Sequence, residues 1–167
     1  MPHILIRPEA PDDDPAISGL IATAFGPGAY ARAAFRVREQ APHAPEFSFV
    51  AVLEERIAAS VRLTPITVGG EDMGFLLGPL VVDPPLKSRG YGKALVRHAL
   101  AAASERGVRF VILVGDEPYY GPLGFVRLPP GRVAMPGPCD PRRLLVAELE
   151  AGVGDRLAGI IAGKAAA

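Results

Sequence analysis

A chain of 167 residues, 49% of them apolar, is long enough for one domain with a proper core and too apolar for a disordered segment. The 18 basic residues balance 18 acidic ones, which argues against a general nucleic-acid binder with its basic excess on one face. No apolar run approaches the roughly 18–20 residues that span a bilayer, "MPHILIRPEA" lacks the pattern of a signal peptide, and a lone cysteine, Cys139, excludes an internal disulfide framework. Together these predict a cytoplasmic protein, away from membranes, with residues 1–167 forming one domain.

"HILIRP" reads as a short first strand ended by Pro8. "DDDPAISGLIATAF" carries Ile17, Leu20, Ile21, Ala24 and Phe25 at helical spacing. Its leading aspartates and Pro15 suit a helix N-terminus, and Gly26-Pro27 suits its end. "AYARAAFRVREQ" predicts a second, shorter helix with arginines on the solvated side. "EFSFVAVL" and "IAASVRLTPITV" predict a hairpin turning at Glu54-Glu55. In the second strand Ile57, Ala59, Val61 and Leu63 alternate with Ser60, Arg62 and Thr64. "MGFLLGPLVV" is an apolar strand interrupted by Gly78-Pro79, which suggests a bulge or an unpaired edge.

After Pro84-Pro85 comes "LKSRGYGKAL", opening a helix with an apolar stripe of Leu95, Val96, Ala99, Leu100 and Ala103 and a cap at Gly107. "RFVILV" has the composition of a strand buried on both faces, so the strand-helix-strand order implies a parallel pair with a right-handed crossover. "GDEPYYGPLGF" leaves it through a short helix or turn, and "RRLLVAEL" predicts a late strand. The expected fold is mixed α/β in the order β-α-α-β-β-β-α-β-α-β-β.

Three phosphate-binding readings of the glycine loop compete. A P-loop requires a glycine where Lys87 stands and a hydroxyl where Ala94 stands, so the magnesium ligand is missing. A dinucleotide loop requires a third glycine where Leu95 stands, and it belongs after the first strand of its fold. In the third reading, "KSRGYG" and the first helical turn point backbone N–H groups at a diphosphate, with Gly90 and Gly92 lacking the β-carbons that would block its approach. A glycine-rich turn with a solvated basic flank is the plain alternative.

Residues 77–125 as a whole resemble the central region of the GNAT acetyltransferases, most of all their small bacterial YhbS-type branch. The linked motifs are the apolar strand, its exit Val82-Asp83-Pro84, the glycine loop, the long helix, the buried strand, and Tyr120 four residues before Gly124-Phe125. One departure is Lys87, where that family usually has arginine or glutamine. The resemblance implies direct acetyl transfer from acetyl-CoA to an amine of a small molecule or protein, with no metal and no covalent enzyme intermediate. A non-catalytic acyl-CoA-binding or sensor domain is the other reading, and homodimerisation stays open.

The same resemblance assigns cofactor contacts to Lys87, Ser88, Arg89, Gly90, Tyr91, Gly92 and Lys93. It gives the pantetheine arm to Leu80, Val81 and Val82, with an amide of Leu80 or Val81 on the thioester oxygen. Tyr120 is the candidate general acid for the departing thiolate, or else a packing tyrosine, with Tyr119 as pocket wall or core. Asp116, and less so Glu117, is the candidate base, set against a turn-capping role. His3, His43 and His98 show no usable spacing, and Cys139 reads as a bystander.

Overall fold

The computed structural model describes residues 3–25 and 33–164, without the side chains of 33–35. The predicted mixed α/β architecture is present. Strands β1 (Ile4–Pro8), β2 (Phe49–Leu53), β3 (Arg56–Val68) and β4 (Glu71–Val82) form an antiparallel meander, with β2 joined to β3 at the predicted Glu54-Glu55 turn. Between β1 and β2 lie helices α1 (Asp14–Phe25) and α2 (Ala33–Gln40). Gly26-Pro27 and Arg32, read above as a helix end and a solvated arginine, fall outside the described residues.

Helix α3 (Tyr91–Glu105) crosses over from β4 to β5 (Phe110–Val114), which lies parallel to β4. Gly107, at φ +79°, ends α3 as predicted: its N–H donates to the Ser104 carbonyl and the next N–H, of Val108, donates to Ala103. The short helix α4 (Glu117–Tyr120) leaves β5. The remaining strands are β6 (Val126–Arg127), β7 (Val133–Ala134), β8 (Leu144–Glu148) and β9 (Gly159–Gly163). Sheet order is β1-β2-β3-β4-β5-β8-β6, with β9 on β3 and β7 on β9.

The described chain thus holds nine strands rather than the seven expected. Strands β6 and β7 have only two residues each, and β9 is "GIIAG", so none carries a pattern long enough to read. Strand β2 also starts later than expected, at Phe49, because Pro45–Phe47 forms a 3-10 turn.

Both faces of the sheet are covered. On one, Leu95, Val96, Ala99 and Ala103 of α3 pack against Ala59, Val61 and Leu63 of β3, with Val111 and Leu113 of β5. Each leucine or valine among them that leaves water contributes roughly 1.5–3 kcal/mol. On the other, Val37 of α2 packs with Ile66, Val68, Leu76, Phe110 and Ile161. The turn into α1 is fixed by charge. Arg7 grips the Asp13 carboxylate through two bonds of 2.7 and 2.9 Å, the Ala10 N–H donates to it at 2.8 Å, and Arg7 holds that carboxyl below the usual range.

Candidate active site

Strands β4 and β5 pair over only three residues each, Gly74–Leu76 against Phe110–Ile112. Beyond that β4 stays with β3 and β5 stays with β8, so their carboxyl ends separate. The predicted irregularity at Gly78-Pro79 is a bulge, with a cis peptide between the two residues. Val61 pairs with Leu80 and Leu63 with Leu77, which sets two residues of β4 against Arg62 alone. Hydrogen-bonding direction alternates along an antiparallel pair. Because the Asp83 N–H donates to the Ala58 carbonyl at 2.8 Å, Val81 faces β3, whereas Leu80 and Val82 face the open gap.

A cavity of about 1510 Å³ fills this opening. At one end it meets the glycine loop, where Ser88 (φ +65°) and Gly90 (φ +88°) take left-handed conformations and Gly90 caps α3. The first helical turn leaves the N–H groups of Tyr91, Gly92 and Lys93 without intrahelical acceptors, at the positive end of the helix dipole. Such an end is suited to an anion. The two glycines serve different purposes. A β-carbon on Gly90 would meet open space, so glycine there supplies the φ; one on Gly92 would lie 2.8 Å from the Tyr119 hydroxyl and 3.4 Å from Val82.

The two tyrosines of α4 form the adjoining wall, their rings 4.8 Å apart at 72°. Tyr119 reaches toward Gly92 and lies under the Lys93 ammonium, 5.2 Å from its ring centre. Tyr120 packs on Phe125 at 5.7 Å and against Gly115, where a β-carbon would come within 2.5 Å of its ring. Burial, reinforced by Tyr119 and Asp116, pushes the Tyr120 phenol up to about 12. It therefore remains a protonated hydrogen-bond donor at neutral pH.

The opposite wall comes from α1, α2, the loop after α2 and the even-numbered face of β3. Along that face Ser60, Arg62 and Thr64 are not solvated: Ser60 and Thr64 are buried, and neither hydroxyl has a partner among the described residues. Arg62 donates to Glu9 at 2.9 Å and to Asp14 at 2.8 Å. Desolvation opposes its charge, but these bonds outweigh it and raise the guanidinium pKa. Glu9 also accepts from His43 Nε2 at 2.7 Å, and its side chain is only 6% exposed. At the rim, Arg143 holds Asp116 at 3.3 Å beside Cys139 and Asp140.

The chain matches the model of the Acetyltransferase (GNAT) family over residues 17–125. It belongs to the GNAT acetyltransferase family. The chain is 32% identical over 124 residues, 73% of each chain, to the uncharacterised N-acetyltransferase YhbS of Escherichia coli strain K12. A crystal structure of the YhbS protein from E. coli in complex with CoA aligns with 98% of this chain and 91% of its own, at a TM-score of 0.83 and 26% identity. A GNAT acetyltransferase from Brucella melitensis, in complex with acetyl-CoA, aligns over 87% of this chain and 96% of its own, at a TM-score of 0.63 and 28% identity.

For this GNAT chain the cavity gathers most of the residues singled out from sequence. Leu80, Val82, Lys87, Ser88, Gly90, Tyr91, Gly92, Lys93, Asp116 and Tyr120 line it. Val81 and Arg89 do not: Val81 is buried with its backbone in the β3 ladder, and Arg89 is exposed. Asp116 occupies the cap position of α4, but its carboxylate engages Arg143 and makes no capping bond. Arg38 of α2, expected on the solvated side, lines the cavity beside Gly78. Cys139 does form part of the wall, and burial raises its thiol, which disfavours the reactive thiolate. His43 and Glu9 had no local signal, because they meet only across the fold.

Proposed function

We propose that this enzyme uses acetyl-CoA as donor and transfers the acetyl group directly to an amine of a small molecule or protein. The observation that carries the reading is the splayed β4–β5 pair running into the left-handed Gly90 cap of α3. The glycine loop and first turn of α3 suit a diphosphate through backbone amides, with Lys87 and Lys93 as adjacent cations. The open edge of β4 can pair with the amides of a pantetheine arm as a strand would. Its register offers the Leu80 N–H, rather than that of Val81, to the oxygen on which charge develops. CoA and acetyl-CoA in the two related structures support the same donor.

Acetyl-CoA supplies a thioester whose carbonyl is open to attack by an amine. Tyr120 serves the departing sulfur. A phenol at about 12 is too weak an acid to surrender its proton readily to a thiolate whose conjugate acid lies near 8–9, so it acts mainly as a hydrogen-bond donor. Asp116 is exposed and committed to Arg143, which suits it to the rim better than to proton abstraction.

A donor that binds only the folded chain at about 100 times its Kd adds roughly 2.7 kcal/mol. For a chain of this size that raises Tm by about 5–10 °C. Thermal melts with acetyl-CoA, followed by free-thiol release over a panel of primary amines, test both halves. No shift at millimolar acetyl-CoA removes the donor assignment, and a shift without thiol release leaves a binding domain rather than an enzyme.

A further inference from the structure

We propose that His43, oriented by Glu9, takes the proton from the acceptor amine. The assignment rests on the acetyl-transfer reading above and names the base which that reading leaves open. An amine that arrives as an ammonium has no lone pair, so a neutral base must meet it inside the cavity before attack.

His43 is the one imidazole among the described residues that line the cavity. Its Nε2 lies 2.7 Å from Glu9 Oε2. A carboxylate can only accept, so Nε2 carries the hydrogen, and in the neutral ring the lone pair is on Nδ1. Among the described residues Nδ1 has no hydrogen-bond partner. Glu9 cannot act as base itself, because its other oxygen accepts from Arg62 at 2.9 Å and the side chain is nearly buried. The ring is joined to Glu9 after β1, through it to Arg62 on β3 and on to Asp14 on α1, and Arg38 of α2 lines the same cavity. The remaining carboxylates on the cavity wall, Asp116 and Asp140, are engaged by Arg143 and Arg142.

The backbone holds His43 in place. Strand β3 pairs with β2 over Arg56–Val61 and with β9 over Ile66–Val68, which leaves an edge free between them. The loop after α2 fills it: the Ala44 N–H donates to the Leu63 carbonyl at 2.8 Å, and the buried Ser48 hydroxyl bridges the Leu63 N–H and the Ala44 carbonyl. His43 is thereby anchored at the register of Leu63, beside the bulge where Gly78 and Pro79 oppose Arg62. Tyr120 stands on the other side of the gap. An acetyl group at the Leu80 amide then has a proton acceptor on one flank and a hydrogen-bond donor on the other.

In the step, Nδ1 accepts a proton from the ammonium and the freed nitrogen forms a bond to the acetyl carbon. The carbon–sulfur bond breaks with its electron pair on sulfur. The second proton on nitrogen passes to the thiolate, and His43 returns its own to water, so one proton is released per turnover.

The test compares wild type, His43→Ala and Glu9→Gln, each with saturating acetyl-CoA and the amine giving the fastest thiol release in wild type. His43→Ala lowers kcat by about 100-fold or more, leaves the acetyl-CoA Kd within about twofold, and recovers part of the loss with millimolar imidazole. Glu9→Gln, a change to a positioning residue, lowers kcat less and is not rescued by imidazole. His43→Ala with wild-type kcat, or with a loss that imidazole does not touch, overturns the assignment alone. Wild type that binds acetyl-CoA but releases no thiol with any amine overturns the acetyl-transfer reading and this assignment with it.

Discussion

Gly92→Val separates the two purposes of the glycine loop. The β-carbon alone would sit 2.8 Å from the Tyr119 hydroxyl, 3.4 Å from Val82 Cγ2 and 3.6 Å from Leu80 Cδ2. Tyr119 must therefore swing away, although its ring is held by Tyr120 at 4.8 Å and by the Lys93 ammonium at 5.2 Å. The two γ-methyls of valine add volume to a turn whose amides face the cavity. Crowding of this kind costs about 1–3 kcal/mol, partly offset by the better helix propensity of valine over glycine. The ligand-free variant accordingly melts below wild type, since the offset is only a few tenths of a kcal/mol. Donor binding changes more: one lost amide–phosphate bond removes roughly 1.5–3 kcal/mol, which is about 10- to 150-fold in Kd. Calorimetric titration with acetyl-CoA, beside a melt of the ligand-free variant, measures the two effects separately. A Kd within about twofold of wild type would refute the placement of the diphosphate.

Two further outcomes follow from the charges of the fold. Tyr120→Phe lowers kcat by about 10²-fold or more while the acetyl-CoA Kd stays near wild type, because only the hydroxyl is removed. In an alkaline absorbance titration one tyrosine ionises only near about 12 and is missing from this variant. Its folded-state pKa lies above the unfolded value, so the associated stability, roughly 2–3 kcal/mol, is complete below pH ~10 and disappears as pH rises through about 12. For Asp13→Asn the sign is opposite. Arg7 lowers the Asp13 carboxyl in the fold, so its contribution is present above the ordinary carboxylate range and is lost on acidification. The variant melts below wild type at pH 7, and the gap between their Tm values closes as the pH falls.

The part of the cavity proposed for the donor was legible because its determinants are local. Gly78-Pro79 reads as an interruption and Gly107 as a helix stop, and each is needed by backbone geometry where it stands; Gly90 reads only as a missing β-carbon, and its left-handed φ is what the structure adds. Tyr120 was singled out by resemblance to the family, which places a tyrosine four residues before a Gly-Phe pair like Gly124-Phe125. The wall proposed for the acceptor was not legible, because it is assembled across the fold. Glu9 and His43 come from separate loops, and neither has a periodic context. The alternation of Ser60, Arg62 and Thr64 was visible, but a polar strand face ordinarily meets water, and only the packing of α1 and α2 reveals that this one is enclosed. Strand β9 escaped for a plainer reason: five residues containing two glycines and an alanine carry little intrinsic strand preference, and pairing with Ile66–Val68 supplies what the side chains lack.

That last strand also orders the assembly of the molecule in time. Helix α2 is locked onto the sheet by β9, where the Gly163 N–H donates to the Gln40 side chain at 2.7 Å and Ile161 packs beside Val37. Chains emerge from the ribosome N-terminus first, and contacts between distant segments form late. The β4–α3–β5 crossover can close while β9 is still within the tunnel, so a nascent chain has its glycine loop before it has a fixed wall behind Arg38. The cavity wall that carries Arg38 is the last to be fixed.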